Sequence, residues 1–361
     1  MKFLFTFEDQ PPLERTLYLI NWLVYKNHIV YVTYPNEIPD YVSHRCLASI
    51  NKSIPPNLNN YDVWLYSLKG DLDVESGTPY ANCLNTFNGR LMMLSLDDTA
   101  DFFGYKISPN LVEKTEKFIG NVWYKDKELY GIRNHTTKAW YKLTDQQKSR
   151  FCVIPSFHES SNFYEAKSIT SIPPSLKDDF ITFIGGINGA VPGQDARICT
   201  IDKITRYVGI KCNIKITGYC PDPVNTYYYK VIIPDYLKSS RVSFEEYLME
   251  INRSKYSLCP KGNSPHLTYR FFESLRLKSL VFMTEISDEF EFYDPPIPNY
   301  HYIQYKQDAS DLMKKINYYG NNLEEAERIT ENGFQYWKQL EFEETGQVSD
   351  KLDLYLSNII L

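Results

Sequence analysis

Lys261, Arg270 and Glu273 fall within one short run of the chain, "SKYSLCPKGNSPHLTYRFFESLRLKSLVFM", from Ser254 to Met283. An ammonium, a guanidinium and a carboxylate at these spacings can hold a charged, hydroxyl-bearing ligand. "KYSLCP" is short and apolar, as a buried strand is, and Gly262 allows the chain a turn that other residues resist. Asn263 or Ser264 suits an N-cap and Pro265 suits a first helical position, so a helix is expected over 265–277. Leu267, Phe271 and Leu275 repeat every four residues and mark its buried face. His266, Arg270 and Glu273 share another face, where His266 is either a phosphate or sugar contact or a helical histidine with no role.

A helix start presents free N–H groups and the positive end of the helix dipole, which together favour an anion. Lys261 adds charge from the loop, and Arg270 can reach the same anion with a fork of donors. Glu273, about 4.5 Å further along the axis, can accept from two ribose hydroxyls. One helix would then read both parts of a nucleoside diphosphate. The competing reading is an ordinary surface ion pair between Arg270 and Glu273 beside a solvated lysine.

The elements that must carry these residues are legible along the chain. "KFLFTF", "PPLERTLYLINWLVYKN" and "HIVYVTY" read as strand, helix and strand, with Leu13, Leu17, Ile20 and Val24 on one helix face. That order implies a parallel pair joined by a right-handed crossover. "YDVWLYS" and "RLMMLSL" are further strands, the second placing Asp97 and Asp98 just past a strand end, the edge that faces the ligand in a parallel sheet. From Gly120 to Lys148 the pattern is irregular. "FCVIPSF" is a strand, and the polar "SSNFYEAKSITSIPPSLKDD" reads as an interdomain linker.

A second α/β run follows. "FITFIGG" ends in Gly185 and Gly186, "DARICTIDKITRYV" is helical, "CNIKITGY" is a strand, and "SFEEYLMEINRSK" is a helix with Ser243 and Glu246 spaced as a capping box. Three helical segments close the chain. The expected organisation is two doubly wound α/β domains facing across a cleft. Residues 1–172 form the first and 173–335 the second, with 336–361 a helical segment that packs back on the first.

Composition limits the function. With 361 residues the chain is long for one domain. The net charge of −6 argues against a generic nucleic-acid binder. The seven cysteines form no CxxC pair, which fits neither a zinc site nor a disulfide framework and suits a reducing compartment. "MKFLFTFEDQPP" is not a secretory signal, and no stretch approaches the length of a membrane helix. A cytoplasmic protein is expected, with peripheral membrane contact left open.

The run from Ser254 resembles the C-terminal signature of the exostosin-like glycosyltransferases. Ser254, Lys255, Tyr256, Leu258, Cys259, Pro260 and Gly262 are followed in order by Thr268, Arg270, Glu273, Ser274 and Leu275, and then by the acidic segment after "VFM". "FITFIGG…RICTIDKITRY" resembles the opening of the family's C-terminal domain, with Arg197 starting its helix, and "FCVIPSF" the close of its N-terminal domain. The likeness covers about residues 175–320. It implies a GT-B fold, a nucleotide-sugar donor on the C-terminal domain, expected to be a UDP-sugar, and an acceptor on the N-terminal side. It also implies inversion without an essential metal or other cofactor. Lys261 and Arg270 would face the diphosphate and Glu273 the ribose. Gly185 and Gly186 would let their loop approach the donor, and Arg197, Gly262, Ser264, His266 and Thr268 complete the donor set. The family's Gly-Cys-x-Pro-Val turn is replaced here by Leu277-Lys278-Ser279-Leu280-Val281, so the helix exit must differ.

An inverting transfer needs a base for the acceptor hydroxyl. Asp97 and Asp98 come first, ahead of Glu8 and Asp9, and of His158 and Glu159; the alternative for each is an N-cap or a solvated turn carboxylate. The expected activity is hexosyl or pentosyl transfer to a saccharide or glycoconjugate, with no nucleic-acid partner. The alternatives are a fucosyltransferase-type enzyme with a GDP-sugar and an inactive GT-B scaffold.

Overall fold

A computed structural model describes residues 1–7, 14–38, 46–67, 81–95, 109–120, 123–124, 131–133, 140–155, 169–187, 196–206, 211–219, 227, 229–230, 233–261, 267–286, 288, 290–341 and 346–361. The chain divides into two compact units. The first comprises Met1–Phe157, Asp288–Asp294 and Leu340–Leu361; the second comprises His158–Ser287 and Pro295–Gln339.

In the first unit the strands are β1 (Lys2–Thr6), β2 (Ile29–Thr33), β3 (Ser49–Asn51), β4 (Val63–Ser67), β5 (Arg90–Ser95), β6 (Thr115–Gly120) and β10 (Phe151–Val153). They form one parallel sheet in the order β10-β6-β5-β4-β1-β2-β3. Between β6 and β10 lie β7 (Trp123–Tyr124) and the antiparallel pair β8 (Gly131–Arg133) and β9 (Trp140–Lys142). The central strands are runs of Val, Leu, Phe, Met and Trp without alternation, because both faces of a parallel sheet are covered. Helix Glu14–Tyr25 is buried almost all round from Thr16 to Leu23, beyond the single stripe its spacing indicates. Helix Asp350–Ile360 packs on this unit. Asp353 accepts from Trp22 Nε1 and pairs with Lys26 Nζ, each at 2.9 Å.

The second unit holds β11 (Asp178–Ile187), β12 (Lys211–Tyr219), β13 (Ser254–Cys259), β14 (Leu280–Thr284) and β16 (Ile303–Tyr305); β15 (Phe290–Glu291) belongs to the first unit, where it pairs antiparallel with β7. The sheet is parallel, in the order β12-β11-β13-β14-β16. In chain order within the unit this is 2-1-3-4-5, a doubly wound sheet whose order reverses between β11 and β13. Ligands of such sheets bind outside the carboxyl ends of the strands at that reversal.

Helices Ala196–Thr205 and Leu312–Asn321 share the apolar cluster of Ile198, Ile201, Ile204, Leu312 and Ile316, and helix Leu323–Leu340 adds Ile329 to it. Helices Phe244–Arg253 and Tyr269–Arg276, with the exit residue Leu277, meet in a second cluster of Leu248, Ile251 and Leu277. Ser243 accepts from the Glu246 N–H at 3.1 Å and starts the first of these. The substituted helix exit has its own solution: Lys278 takes a left-handed backbone, with φ of 53°, the conformation that commonly ends a helix. Ser279 then turns inward and donates to the carbonyl of Ile251 at 2.8 Å.

The residues leading into β11 are pinned to the same helix. Asn252 accepts from Ile172 N–H and donates to Thr170 O, each at 2.9 Å. The buried ammonium of Lys177 donates to the Asn252 carbonyl and to Ser279 Oγ. With no carboxylate paired to it among the described residues, burial pulls this ammonium down to about 7.

Candidate functional site

The reversal point is built from the end of β11. The ladder with β13 stops at Thr182, whereas the ladder with β12 runs on to Ile187, with a register shift between Gly185 and Ile187. β11 therefore overhangs β13 by several residues. Two carbonyls on the overhang, those of Ile184 and Gly186, accept from guanidinium groups rather than from a strand on that side. Arg270 Nη2 donates to Ile184 O at 2.6 Å, and Arg197 Nη1 donates to Gly186 O at 2.9 Å.

The two arginines come from the helices that follow the two strands, Arg197 from Ala196–Thr205 after β11 and Arg270 from Tyr269–Arg276 after β13. Arg270 lies over the ring of Phe183, 4.4 Å from its centroid, and is only 9% exposed. Neither arginine makes an ion pair among the described residues, and the Nε of each is buried with no hydrogen-bond partner there. Burial, then the like charge of Arg270, holds the Arg197 guanidinium down at about 10. Two guanidiniums at one strand end, Arg270 buried and Arg197 partly buried, each with an unused Nε donor among the described residues, form a site for an anion with more than one negative oxygen.

Lys261 follows β13 directly. Its N–H donates to Thr284 Oγ1 at the end of β14 at 2.8 Å, which fixes the strand exit, and its ammonium has no carboxylate partner among the described residues. The helix start differs from the expected one. The helix begins at Tyr269 with Thr268 as N-cap, whose side chain makes no capping bond. Thr268 Oγ1 is buried without a hydrogen-bond partner among the described residues, a third unused polar atom two residues before Arg270. Arg270 is therefore in the first turn of its helix, closer to the free N–H groups than a start at 265 would place it.

The surface ion pair is overturned. Arg270 and Glu273 are both buried, and along the helix Leu267, Phe271, Phe272, Ser274 and Leu275 are buried with them. Spacing identified a polar face, but neighbouring elements cover that face too. Glu273 Oε2 accepts from the hydroxyl of Tyr247, 2.6 Å away on helix Phe244–Arg253. Burial, then the charge of Glu273, pushes the Tyr247 phenol well above its usual value, so it stays protonated and donates.

Beneath Arg270 the packing is polar and satisfied. Ser257 and Ser274 share a hydrogen bond at 2.7 Å, and Cys259 Sγ is 4.0 Å from both hydroxyls. Burial pushes the Cys259 thiol up to about 11, which leaves it inert as a nucleophile. Tyr305 and Thr200 share a 2.9 Å hydrogen bond below Arg197.

The structure thus gathers Gly185, Gly186, Arg197, Lys261, Thr268, Arg270 and Glu273 around one sheet edge. Gly262, Ser264 and His266 lie outside the described residues, as do Asn263 and Pro265. So do all the candidate bases: Asp97, Asp98, Glu8, Asp9, His158 and Glu159. Sequence reasoning missed Tyr247 and Phe183. Each meets its partner across tens of residues of chain, and no local spacing signals that. Among the described residues no three His, Cys, Asp or Glu side chains cluster as metal ligands would. No described helix is long and apolar enough to cross a membrane.

No protein-family model matches the chain, and no curated protein matches it in sequence. Solved structures match it in fold. An α-glucosyltransferase in complex with UDP-glucose and DNA containing an abasic site aligns over 100% of this chain and 99% of its own, with a TM-score of 0.60 at 12% identity. A glycosyltransferase from Rickettsia africae aligns over 99% and 98%, with a TM-score of 0.58 at 13% identity. HepE from Anabaena in complex with UDP aligns over 99% of both chains, with a TM-score of 0.55 at 11% identity. With its two parallel-sheet α/β units, the chain has the GT-B fold of these transferases.

Proposed function

We propose that this chain is a glycosyltransferase that moves a sugar from a UDP-sugar to a hydroxyl of a saccharide or glycoconjugate. One observation carries the reading: two guanidiniums, Arg270 buried and Arg197 partly buried, sit without ion-pair partners among the described residues at the switch point of the second unit, with Lys261 at the exit of the adjacent strand. A diphosphate matches that charge and donor set. The fold shared with a structure holding UDP-glucose and another holding UDP supports the choice of nucleotide. The ordered residues from Ser254 to Leu275 support the exostosin-like type, and with it inversion.

In this reading the acceptor oxygen attacks the anomeric carbon as the bond from that carbon to the diphosphate breaks. The hydroxyl proton passes to a base, for which Asp97 and Asp98 are the candidates. Negative charge grows on the departing diphosphate, where Arg197, Arg270, Lys261 and the N–H groups of the helix start stabilise it without reorganising. Glu273 is the candidate acceptor for the ribose hydroxyls. The cations balance the leaving charge themselves, so the reaction requires no metal.

The test is thermal shift with UDP, GDP, ADP, dTDP and CMP, followed by transfer from the sugar nucleotide that binds. UDP at a hundred times its dissociation constant should add about 2.7 kcal/mol. If no nucleoside diphosphate raises the melting temperature at millimolar concentration, the donor-site reading fails. Offering oligosaccharide and duplex DNA as parallel acceptors decides the acceptor class, and transfer to DNA alone would overturn the saccharide assignment.

A further inference from the structure

Successive side chains of a strand point to opposite faces, so Phe183 and Gly185 share one face of β11, beyond the point where its ladder with β13 stops at Thr182. On that face a large ring is followed by a position with no side chain. The Arg270 guanidinium uses both. Its Cζ lies 4.4 Å from the centroid of the Phe183 ring, and its Nη2 takes the space that a β-carbon on Gly185 would need. Nη2 donates to Ile184 O at 2.6 Å, and Nε is buried with no hydrogen-bond partner among the described residues. Phe183 is fully buried in the apolar cluster that includes Ile181, Ile187 and Ile201, so the core fixes the ring on which the guanidinium lies.

We infer that Phe183 is a positioning residue: its ring sets the plane of the Arg270 guanidinium and so keeps the remaining donors of that group in place for the diphosphate of the donor. The inference rests on the donor-site reading above. A single hydrogen bond to Ile184 O leaves a long side chain free to pivot about that contact. A buried ring against the guanidinium removes the pivot, and the attraction between a cation and a ring is strongest where water is excluded. A guanidinium held in this way needs no reorganisation when phosphate oxygens arrive. Phe183 acts only through Arg270.

The role is separable from mere packing. Phe183→Leu keeps an apolar side chain on the strand and removes the ring. Calorimetric titration of the full chain with inorganic pyrophosphate reads the phosphate site without any ribose contribution, and UDP serves as the second probe. Phe183→Leu should weaken pyrophosphate binding by about tenfold, the scale of one charge-assisted hydrogen bond. Phe282→Leu is the packing control: Phe282 is as deeply buried in the same sheet, but its ring meets Tyr256 and Tyr319. It should soften the core to a similar degree and leave pyrophosphate affinity within about twofold of the wild type. Arg270→Lys keeps the charge on an ammonium that has no plane to set. In that background Phe183→Leu should change affinity by less than about twofold. Wild-type affinity in Phe183→Leu overturns the inference. So does a Phe282→Leu variant as weak as Phe183→Leu, because loss of any core ring would then suffice. So does an undiminished loss on adding Phe183→Leu to Arg270→Lys. If Phe183→Leu fails to fold, Phe183→Met takes its place with the same expectations. Failure of the wild type to bind both pyrophosphate and UDP overturns the donor site itself, and this inference with it.

Discussion

Arg270 fills the space that a side chain at Gly185 would need. A methyl group on Gly185 would overlap Arg270 Nη2, which is anchored 2.6 Å from the carbonyl of the preceding residue, Ile184. The glycine is required here for room, since it lets a guanidinium lie flat against the strand end.

Gly185→Ala should therefore disturb the site more than the fold. Alanine suits a strand at least as well as glycine does, and the overlap falls on the far end of a long side chain. The guanidinium must shift and give up its bond to Ile184 O. We expect nucleotide affinity to fall by about tenfold or more, the scale of a small overpacking change, with the melting temperature altered by only a few degrees. Titration with UDP beside a melting curve checks this, and unchanged affinity would remove Arg270 from the site.

The order of strands and helices was legible because buried parallel strands are unbroken apolar runs and the helices between them have clear starts. Ser243 caps its helix as its letters indicate. The start of the next helix was not legible, since Asn263, Ser264 and Thr268 are all acceptable caps and the repeat of Leu267, Phe271 and Leu275 fits each. Spacing also placed Arg270 and Glu273 on one face but could not show what covers it. Ile184 and Tyr247 come from 86 and 26 residues away respectively. Arg197 entered only through the family likeness, because a lone arginine at a helix start carries no local signal.

Lys177 gives the second unit a pH dependence of known sign. Its ammonium is buried against the Asn252 carbonyl and Ser279 Oγ, and its folded value of about 7 lies below the ordinary 10.5. Between those values the unfolded chain binds more protons than the folded one, so stability rises with pH. The cost of burying the charge is present in full below pH 7 and is relieved as pH climbs toward 10.5. The slope from this group reaches at most about 1.4 kcal/mol per pH unit. Lys177→Met fills the same volume without a charge. Denaturant titrations from pH 6 to 9 should show the wild type gaining on this variant as pH rises, and parallel curves would contradict the assignment.

Chelation tests how the leaving charge is balanced. If Arg197, Arg270 and Lys261 stabilise the departing diphosphate, transfer should persist in excess EDTA with its rate largely intact. Raised ionic strength should weaken donor binding, more through exposed charge than through the buried guanidinium of Arg270. Loss of activity in EDTA with recovery on adding Mn²⁺ would assign that task to a metal ion instead.

The sharpest separation is between Arg270 and Glu273 themselves. Arg270 would act on charge that builds up only as the diphosphate departs, so Arg270→Ala should lower turnover by about a hundredfold, the scale of removing one preorganised donor. Glu273 would act on ribose hydroxyls that change little during the reaction, so Glu273→Ala should mainly raise the donor KM. That variant also leaves the buried Tyr247 hydroxyl without its acceptor, which should cost about 1–3 kcal/mol of stability. The competing account is purely structural: Arg270 ties its helix to β11 through Ile184 O, and Glu273 ties it to helix Phe244–Arg253 through Tyr247. On that account both variants melt earlier, but the fraction that remains folded keeps wild-type kinetics. Steady-state rates normalised to folded protein, measured well below each melting temperature, distinguish the two. A lower kcat in Arg270→Ala together with a higher donor KM in Glu273→Ala supports the nucleotide clamp. Wild-type values in both would reduce this helix to a packing element of the second sheet.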